Sequence, residues 1–260
     1  LQQAGLELHL GQHVGTDVSL EALLAAHDAL FAGIGATSGR MAGIPGETLP
    51  EVMLAMDYLV HKQKQLFGGP ADPRFAMAEK RVVVIGGGDT AMDCLRTAMR
   101  DGAREVTCLY RRDEANMPGS HKEFQNAVEE GVDFCFNVSP REIRREENGL
   151  LCIEVEKTRL GEKDADGRQR VEVLADSTHC IPADLVILAL GFDVAPAPEL
   201  VAAGVTFNRW NQVDIYPATG VTSNPRIYAG GDCFRGADLV VTAAADGRRA
   251  ALALMRKLLG

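Results

Sequence analysis

The hydrophobic pattern is strongest in the middle of the chain. Arg81-Val82-Val83-Val84-Ile85 and Asp184-Leu185-Val186-Ile187-Leu188-Ala189-Leu190-Gly191 are apolar, largely β-branched runs, the pattern of parallel strands covered on both faces. After the first run come a helical stretch from Asp89 to about Arg100, a stop at Gly102-Ala103, and a strand from Glu105 to Tyr110. That order is a βαβ unit. A helix over 120–130 and a strand at 132–138 follow. Residues 141–180 alternate charged and apolar stretches, with turns at Asn148-Gly149 and Asp166-Gly167, and predict an antiparallel meander.

The flanks are weaker. Leu6, Leu8 and Leu10 alternate with Glu7 and His9, the period of a strand. A turn over residues 14–17 leads to a helix through Leu20, Leu23 and Leu24, capped by Asp17 or Ser19. Residues 29–35 predict a short buried strand entering a glycine turn. Residues 37–78 are read as mostly linker, with a Gly/Pro segment at 43–50 and a helix near 51–66. Strands near 213–216 and 226–229 precede a closing helix from about 238 to 259.

Between the first apolar run and its helix lies Gly86-Gly87-Gly88-Asp89-Thr90-Ala91, a G-x-G-x-x-A loop in the strand-to-helix context that a dinucleotide site requires. Gly86 makes the tight turn, Gly88 lets backbone approach a pyrophosphate, and small Ala91 lets the helix pack against the strand. The helix start adds free N–H groups and a positive dipole end. At the end of the second strand, where an NAD site places Asp or Glu on the ribose 2′-hydroxyl, the chain has Tyr110-Arg111-Arg112. Two guanidiniums there suit a 2′-phosphate through charge-assisted hydrogen bonds, so the residues point to NADP rather than NAD. The plain alternative is a pair of solvated arginines.

Ile227-Tyr228-Ala229-Gly230-Gly231-Asp232, followed by Arg235-Gly236-Ala237-Asp238 and a helix, is a second candidate site. A strand ending in Gly-Asp can aim a carboxylate at a chain of hydroxyls, and the helix start offers N–H groups to an electron-rich ring edge. Standing alone, Asp232 would read better as a helix or turn cap.

Composition narrows the partners. A net charge of −9 argues against a nucleic-acid surface, and no apolar stretch reaches the about 18–20 residues that span a membrane. The six cysteines, Cys94, Cys108, Cys135, Cys152, Cys180 and Cys233, include no C-x-x-C pair and no local metal-ligand run. They are expected to be reduced, mostly buried thiols of a cytoplasmic protein, and no metal ligand is assigned. Leu1 is not a methionine, and the chain is expected to be a fragment or domain.

Taken together, these runs resemble the small (β) subunit of NADPH-dependent glutamate synthase and its relatives in the pyridine-nucleotide–disulfide-reductase-like flavoproteins. Those relatives include the flavin–NADPH half of dihydropyrimidine dehydrogenase and, more distantly, adrenodoxin reductase. Residues 84–94 and 110–119 resemble the NADPH loop and the segment after its second strand. Residues 183–192, with Gly191, resemble the crossover back to the flavin domain. Residues 229–232 and 235–243 resemble the C-terminal flavin fingerprint. The resemblance implies an α/β fold in which a Rossmann-like NADPH domain, residues 79–191, is inserted into a truncated Rossmann-like FAD domain, residues 1–36 and 192–260. It also implies that Asp232 binds the FAD ribityl chain, that the backbone around Leu239, Val240 and Val241 lies against the pyrimidine side of the isoalloxazine, and that Gly231 and Asp238 belong to the same cofactor site.

The family pattern further implies 4Fe-4S clusters and a first G-x-G-x-x-G for the FAD pyrophosphate, neither of which occurs in these 260 residues. The implied reaction passes hydride from NADPH to FAD, then electrons through iron–sulfur centres to a glutamate synthase large subunit or another iron–sulfur oxidoreductase. The cofactors carry that chemistry, so no catalytic side chain is assigned, and His121 and Glu123 are read as solvated. A disulfide reductase would need two neighbouring thiols; a nucleotide sensor or scaffold is the non-enzymatic alternative. The 260-residue chain should bind FAD weakly or not at all while keeping its NADPH site. Stoichiometric flavin absorbance in the purified chain would overturn this expectation.

Overall fold

The computed structural model describes residues 3, 5–163 and 169–260. The chain divides into two compact units, Gly39–Gly191 and Leu1–Ser38 with Phe192–Gly260.

In the unit Gly39–Gly191, five parallel strands lie in the order Val52–Leu54, Leu185–Leu188, Arg81–Ile85, Glu105–Tyr110 and Asp133–Phe136. The β-branched runs occupy the middle, where both faces are covered: Val82, Val83, Val84, Val186 and Ile187 are buried. One face packs on helices. The helix Asp89–Arg100 turns Ala91, Met92, Cys94, Leu95 and Ala98 inward at three- and four-residue spacing, together with Tyr58 from the helix Ala55–Leu66 and Ala127 from His121–Glu129. The other face packs on the meander, through Ile143, Leu151, Ile153, Val155 and Ala183. Its strands Val138–Arg145 and His179–Ala183 flank Leu151–Lys163 antiparallel, and Gln169–Val173 pairs farther along the same long strand. The turn at Asn148-Gly149 is present, with Gly149 at φ +83°. The one expected at Asp166-Gly167 lies outside the described residues.

In residues 39–78 the helix expected near 51–66 is present as Ala55–Leu66, but part of the expected linker, Val52–Leu54, is an edge strand of the sheet. A three-residue strand is too short to show a period, so the pattern did not reveal it. The cysteines also depart in part. Cys94, Cys108, Cys135 and Cys233 are free thiols, but Cys152 and Cys180 form a disulfide. The antiparallel register places Cys152 opposite Pro182, two residues from Cys180, on the same face.

In the other unit, Leu30–Ala32 pairs in parallel with Ile227–Ala229. Ser19 Oγ caps the helix Leu20–Ala26 by accepting from the Ala22 N–H. Leu20, Ala32, Val194, Leu200, Val205, Val213, Ile227 and Cys233 form the core. The closing helix is Val240–Leu259. Two expected strands are absent. Residues 6–10 form none, and Leu6, Leu8 and Leu10 are exposed, since no described strand lies beside them to pair. Residues 213–216 make only isolated bridges, Val213 to Phe207 and Ile215 to Thr222.

Candidate functional site

The glycine loop closes the carboxyl end of the parallel sheet. Gly86 has φ +142°, and a Cβ there would lie 2.2 Å from the Ala189 carbonyl oxygen, so only glycine fits. The Gly86 N–H donates to the Leu109 carbonyl (3.1 Å). Burial pushes the Cys108 thiol up to about 12; it stays protonated and donates to the Gly86 carbonyl (3.2 Å). Gly87 is covered, since a Cβ there would lie 2.6 Å from the Tyr110 ring and 3.0 Å from Met117. Gly88 faces the other way: no heavy atom lies within 4 Å of where its Cβ would project.

Gly88 is also the N-cap of the helix Asp89–Arg100, and Ala91 and Met92 donate to its carbonyl. Among the described residues no acceptor is placed on the N–H groups of Gly88, Asp89 and Thr90. This leaves main-chain donors at a positive helix end beside an open backbone, the arrangement that takes a phosphate. Ala91 is fully buried, as close packing of helix on strand needs.

The segment after the second strand folds onto this loop. The Gly119 N–H donates to the Gly87 carbonyl (2.9 Å), and the Tyr110 hydroxyl to the Asn116 carbonyl (2.8 Å). Asp89 Oδ1 accepts from the Ser120 N–H (2.7 Å). The Asp89 carboxylate therefore fastens the start of the helix His121–Glu129 to the loop, a role its place in the motif did not announce.

Arg111 and Arg112 are pinned through the main chain and left open at the side chain. The Arg111 carbonyl accepts from Thr158 Oγ1 (2.9 Å), and the Arg112 carbonyl from the Asn137 N–H (3.1 Å). Asn137 at φ +56° and buried Thr158 come from the meander side, and nothing in the local sequence pointed to them. Among the described residues neither guanidinium has a carboxylate partner, although acidic residues outnumber basic ones by 36 to 27. Arg112 Nε is buried with no acceptor. A buried unpaired donor costs about 1–3 kcal/mol, which an acceptor brought by a ligand would recover. These residues fit a 2′-phosphorylated nucleotide. Gly191, at φ +91°, ends the segment that leaves the sheet after Leu188, and its carbonyl accepts from the Arg40 N–H.

The second candidate site lies in the other unit. Gly231, at φ +73° and ψ −151°, is in a region open essentially to glycine, and a Cβ on Gly230 would lie 2.7 Å from Asp246 Cβ. Half-buried Asp232 opens the short helix Asp232–Arg235, and its Oδ1 accepts weakly from the Asp238 N–H (3.3 Å). Leu239, Val240 and Val241 are 63–82% exposed at the start of the closing helix. Among the described residues the N–H groups of Val240 and Val241 have no acceptor. Exposed apolar side chains beside free N–H groups suit a flat heteroaromatic ring with polar edges, so this face fits part of a flavin.

Asp246 escaped the sequence reading. Its carboxylate is buried, accepting from Arg235 Nε and Nη2, Gly231 N–H and Arg249 Nη1. The Arg235 hydrogen bonds, helped by Gly231 and Arg249, hold it below the usual carboxylate range. A signal existed: Ala243, Asp246 and Ala250 stand three and four apart on one helix face, so the acid interrupts an otherwise small apolar stripe.

A family model described as pyridine nucleotide-disulphide oxidoreductase matches residues 6–247. The chain is 48% identical over 255 residues to the glutamate synthase [NADPH] small chain of Halomonas elongata, covering 96% of this chain and 54% of that protein. It is 47% identical over 262 residues to the glutamate synthase [NADPH] small chain of Escherichia coli, covering 98% and 55%. It thus spans about half the length of these curated relatives. Among solved structures, FprA of Mycobacterium tuberculosis in complex with NADPH aligns with a TM-score of 0.74 at 20% identity, covering 93% of this chain and 66% of that one. That likeness concerns the fold.

If Arg112 takes the 2′-phosphate, Arg112→Ala should weaken NADPH binding by one charge-assisted hydrogen bond. That is about 1.5–3 kcal/mol, or roughly ten- to hundredfold in Kd, with NADH binding unchanged. Titration calorimetry showing equal losses for both nucleotides would contradict the assignment.

Proposed function

Because the chain belongs to the pyridine nucleotide-disulphide oxidoreductase family, we propose that it is the nucleotide- and flavin-handling portion of an NADPH-dependent oxidoreductase of the glutamate synthase small-chain kind. The observation that carries this reading is the pair of carboxylate-free arginines, one with a buried unpaired Nε, that follows the strand packed against an open glycine loop. Kinship over nearly the whole chain with glutamate synthase [NADPH] small chains supports it.

NADPH, when bound, supplies hydride and FAD accepts it. The protein's part is positional. The N–H groups of Gly88, Asp89 and Thr90 hold a diphosphate, and Arg111 and Arg112 select the 2′-phosphate. Asp89, Tyr110 and Gly119 keep the loop in place. In the other unit Asp232 offers a carboxylate to ligand hydroxyls. Leu239, Val240 and Val241 supply an apolar bed, and the N–H groups above it can bond a polar ring edge. No side chain is assigned as acid or base.

The remaining features belong to the whole protein. Iron–sulfur clusters outside these residues would supply the route for electrons to a glutamate synthase large subunit, for L-glutamate synthesis, or to another iron–sulfur oxidoreductase. Among the described residues no helix is long and apolar enough to cross a membrane. The proposed setting is the cytoplasm.

The test is steady-state reduction of an artificial dye by the full-length protein. Turnover should run with NADPH and be at least tenfold less efficient with NADH. A protein that binds NADPH but reduces no dye would be a nucleotide sensor or scaffold instead.

A further inference from the structure

Five of the hydrogen bonds in the second unit converge on one buried carboxylate. Asp246, 2% exposed at its side chain, accepts from Arg235 Nη2 (2.6 Å to Oδ1, 2.8 Å to Oδ2), Arg235 Nε (3.0 Å), Gly231 N–H (3.0 Å) and Arg249 Nη1 (3.0 Å). Arg249 is tied in turn to the Pro217 carbonyl (3.1 Å). The arrangement is more than a surface ion pair, because both oxygens are saturated and the acid lies directly under the glycine turn.

The direction of the Gly231 N–H is the first consequence. In a turn meant to hold an anion, backbone N–H groups point outward. Here Gly231 donates inward to Asp246, while its carbonyl accepts from Phe234 N (3.0 Å) and Arg235 N (3.2 Å) to begin the next helix. The turn is thereby set with Asp232 as its outward polar group.

The second consequence concerns Arg235. It lies in the electrostatic field of three acids, with Asp246 dominant and Asp238 and Asp232 behind it. Asp232 stands three residues before Arg235 in the same short helix and Asp238 three residues after it, so both are acidic alternatives for a guanidinium released from Asp246. Pairing with Asp232 would occupy the carboxylate that a ligand hydroxyl needs.

We propose that Asp246 is a positioning residue of the flavin site, which fixes the Gly230-Gly231-Asp232 turn and sequesters Arg235 so that the Asp232 carboxylate stays open to ligand hydroxyls. This rests on the reading of residues 227–241 as a flavin site. Asp246 touches no ligand itself; it acts through Gly231 and Arg235. Replacing it by a neutral amide removes the charge that outcompetes Asp232. Removing Arg235 as well removes the competitor.

The full-length protein is stripped of FAD and retitrated with FAD, following flavin fluorescence and absorbance, in wild type, D246N, D246N/R235Q, R235Q and D232N. The melting temperature of each flavin-free protein is recorded alongside. D246N should bind FAD at least tenfold more weakly at temperatures well below its melting transition, and D246N/R235Q should regain most of that loss. A purely structural role predicts a double variant no better than the single one. That result, or D246N within twofold of wild type, overturns the inference. Should D246N fail to fold, R235Q decides. Asp246 keeps Arg249 and Gly231 there and the competitor is gone, so FAD affinity should fall by no more than about threefold, and a tenfold loss would overturn the inference. D232N separates the two readings. Weak FAD binding in D232N upholds the flavin site whatever D246N does, whereas wild-type affinity in D232N overturns the flavin reading and this inference with it.

Discussion

Three strand ends meet at Gly86, and their meeting leaves no room for a side chain. The Gly86 N–H is held by Leu109 and its carbonyl by the Cys108 thiol, and the Ala189 carbonyl lies where a Cβ would stand. The strands Arg81–Ile85, Glu105–Tyr110 and Leu185–Leu188 are thus locked in register at their carboxyl ends. The chain leaving that point has one short course, through Gly87 under the Tyr110 ring to Gly88 and the helix. Everything assigned to the nucleotide follows from it. The helix dipole is aimed by the turn, and the arginines are placed by the strand that holds Gly86. An alanine at position 86 would have to move the Ala189 carbonyl, and with it the neighbouring strand.

The two candidate sites handle their charges in opposite ways. At the glycine loop Arg111 and Arg112 have no carboxylate partner among the described residues, while their backbone is fastened by Thr158 and Asn137. A phosphate at the proposed site would offset the ion pairs that these arginines lack. In the other unit Arg235 and Arg249 pair internally with Asp246, and Asp232 is left with one long hydrogen bond from the Asp238 N–H. The difference matches the proposed ligands: an anionic phosphate in one case, hydroxyls and an apolar ring in the other.

Much of this was legible in the sequence because it depends on local patterns. The apolar runs marked the central strands, and the helix Asp89–Arg100 fell where the motif placed it. Arg111 and Arg112 were found by their distance from the loop. What escaped depends on long-range register. The edge strand Val52–Leu54 is identified only by its neighbour Val186–Leu188, and the Cys152–Cys180 disulfide only by antiparallel pairing. Asp246 lies 15 residues from Gly231 in sequence, and one charge in an apolar helix face did not name its partners. The alternation at Leu6, Leu8 and Leu10 misled for the complementary reason. A strand needs another strand, and none of the described residues provides one there.

The proposed site in the unit Gly39–Gly191 selects a 2′-phosphorylated dinucleotide. Titration calorimetry of the 260-residue chain with NADPH and with NADH tests it most directly, because neither flavin nor partner is needed. NADPH should bind at least about tenfold more tightly than NADH, the contribution of one charge-assisted contact to a phosphate. Equal affinity for the two nucleotides would contradict it.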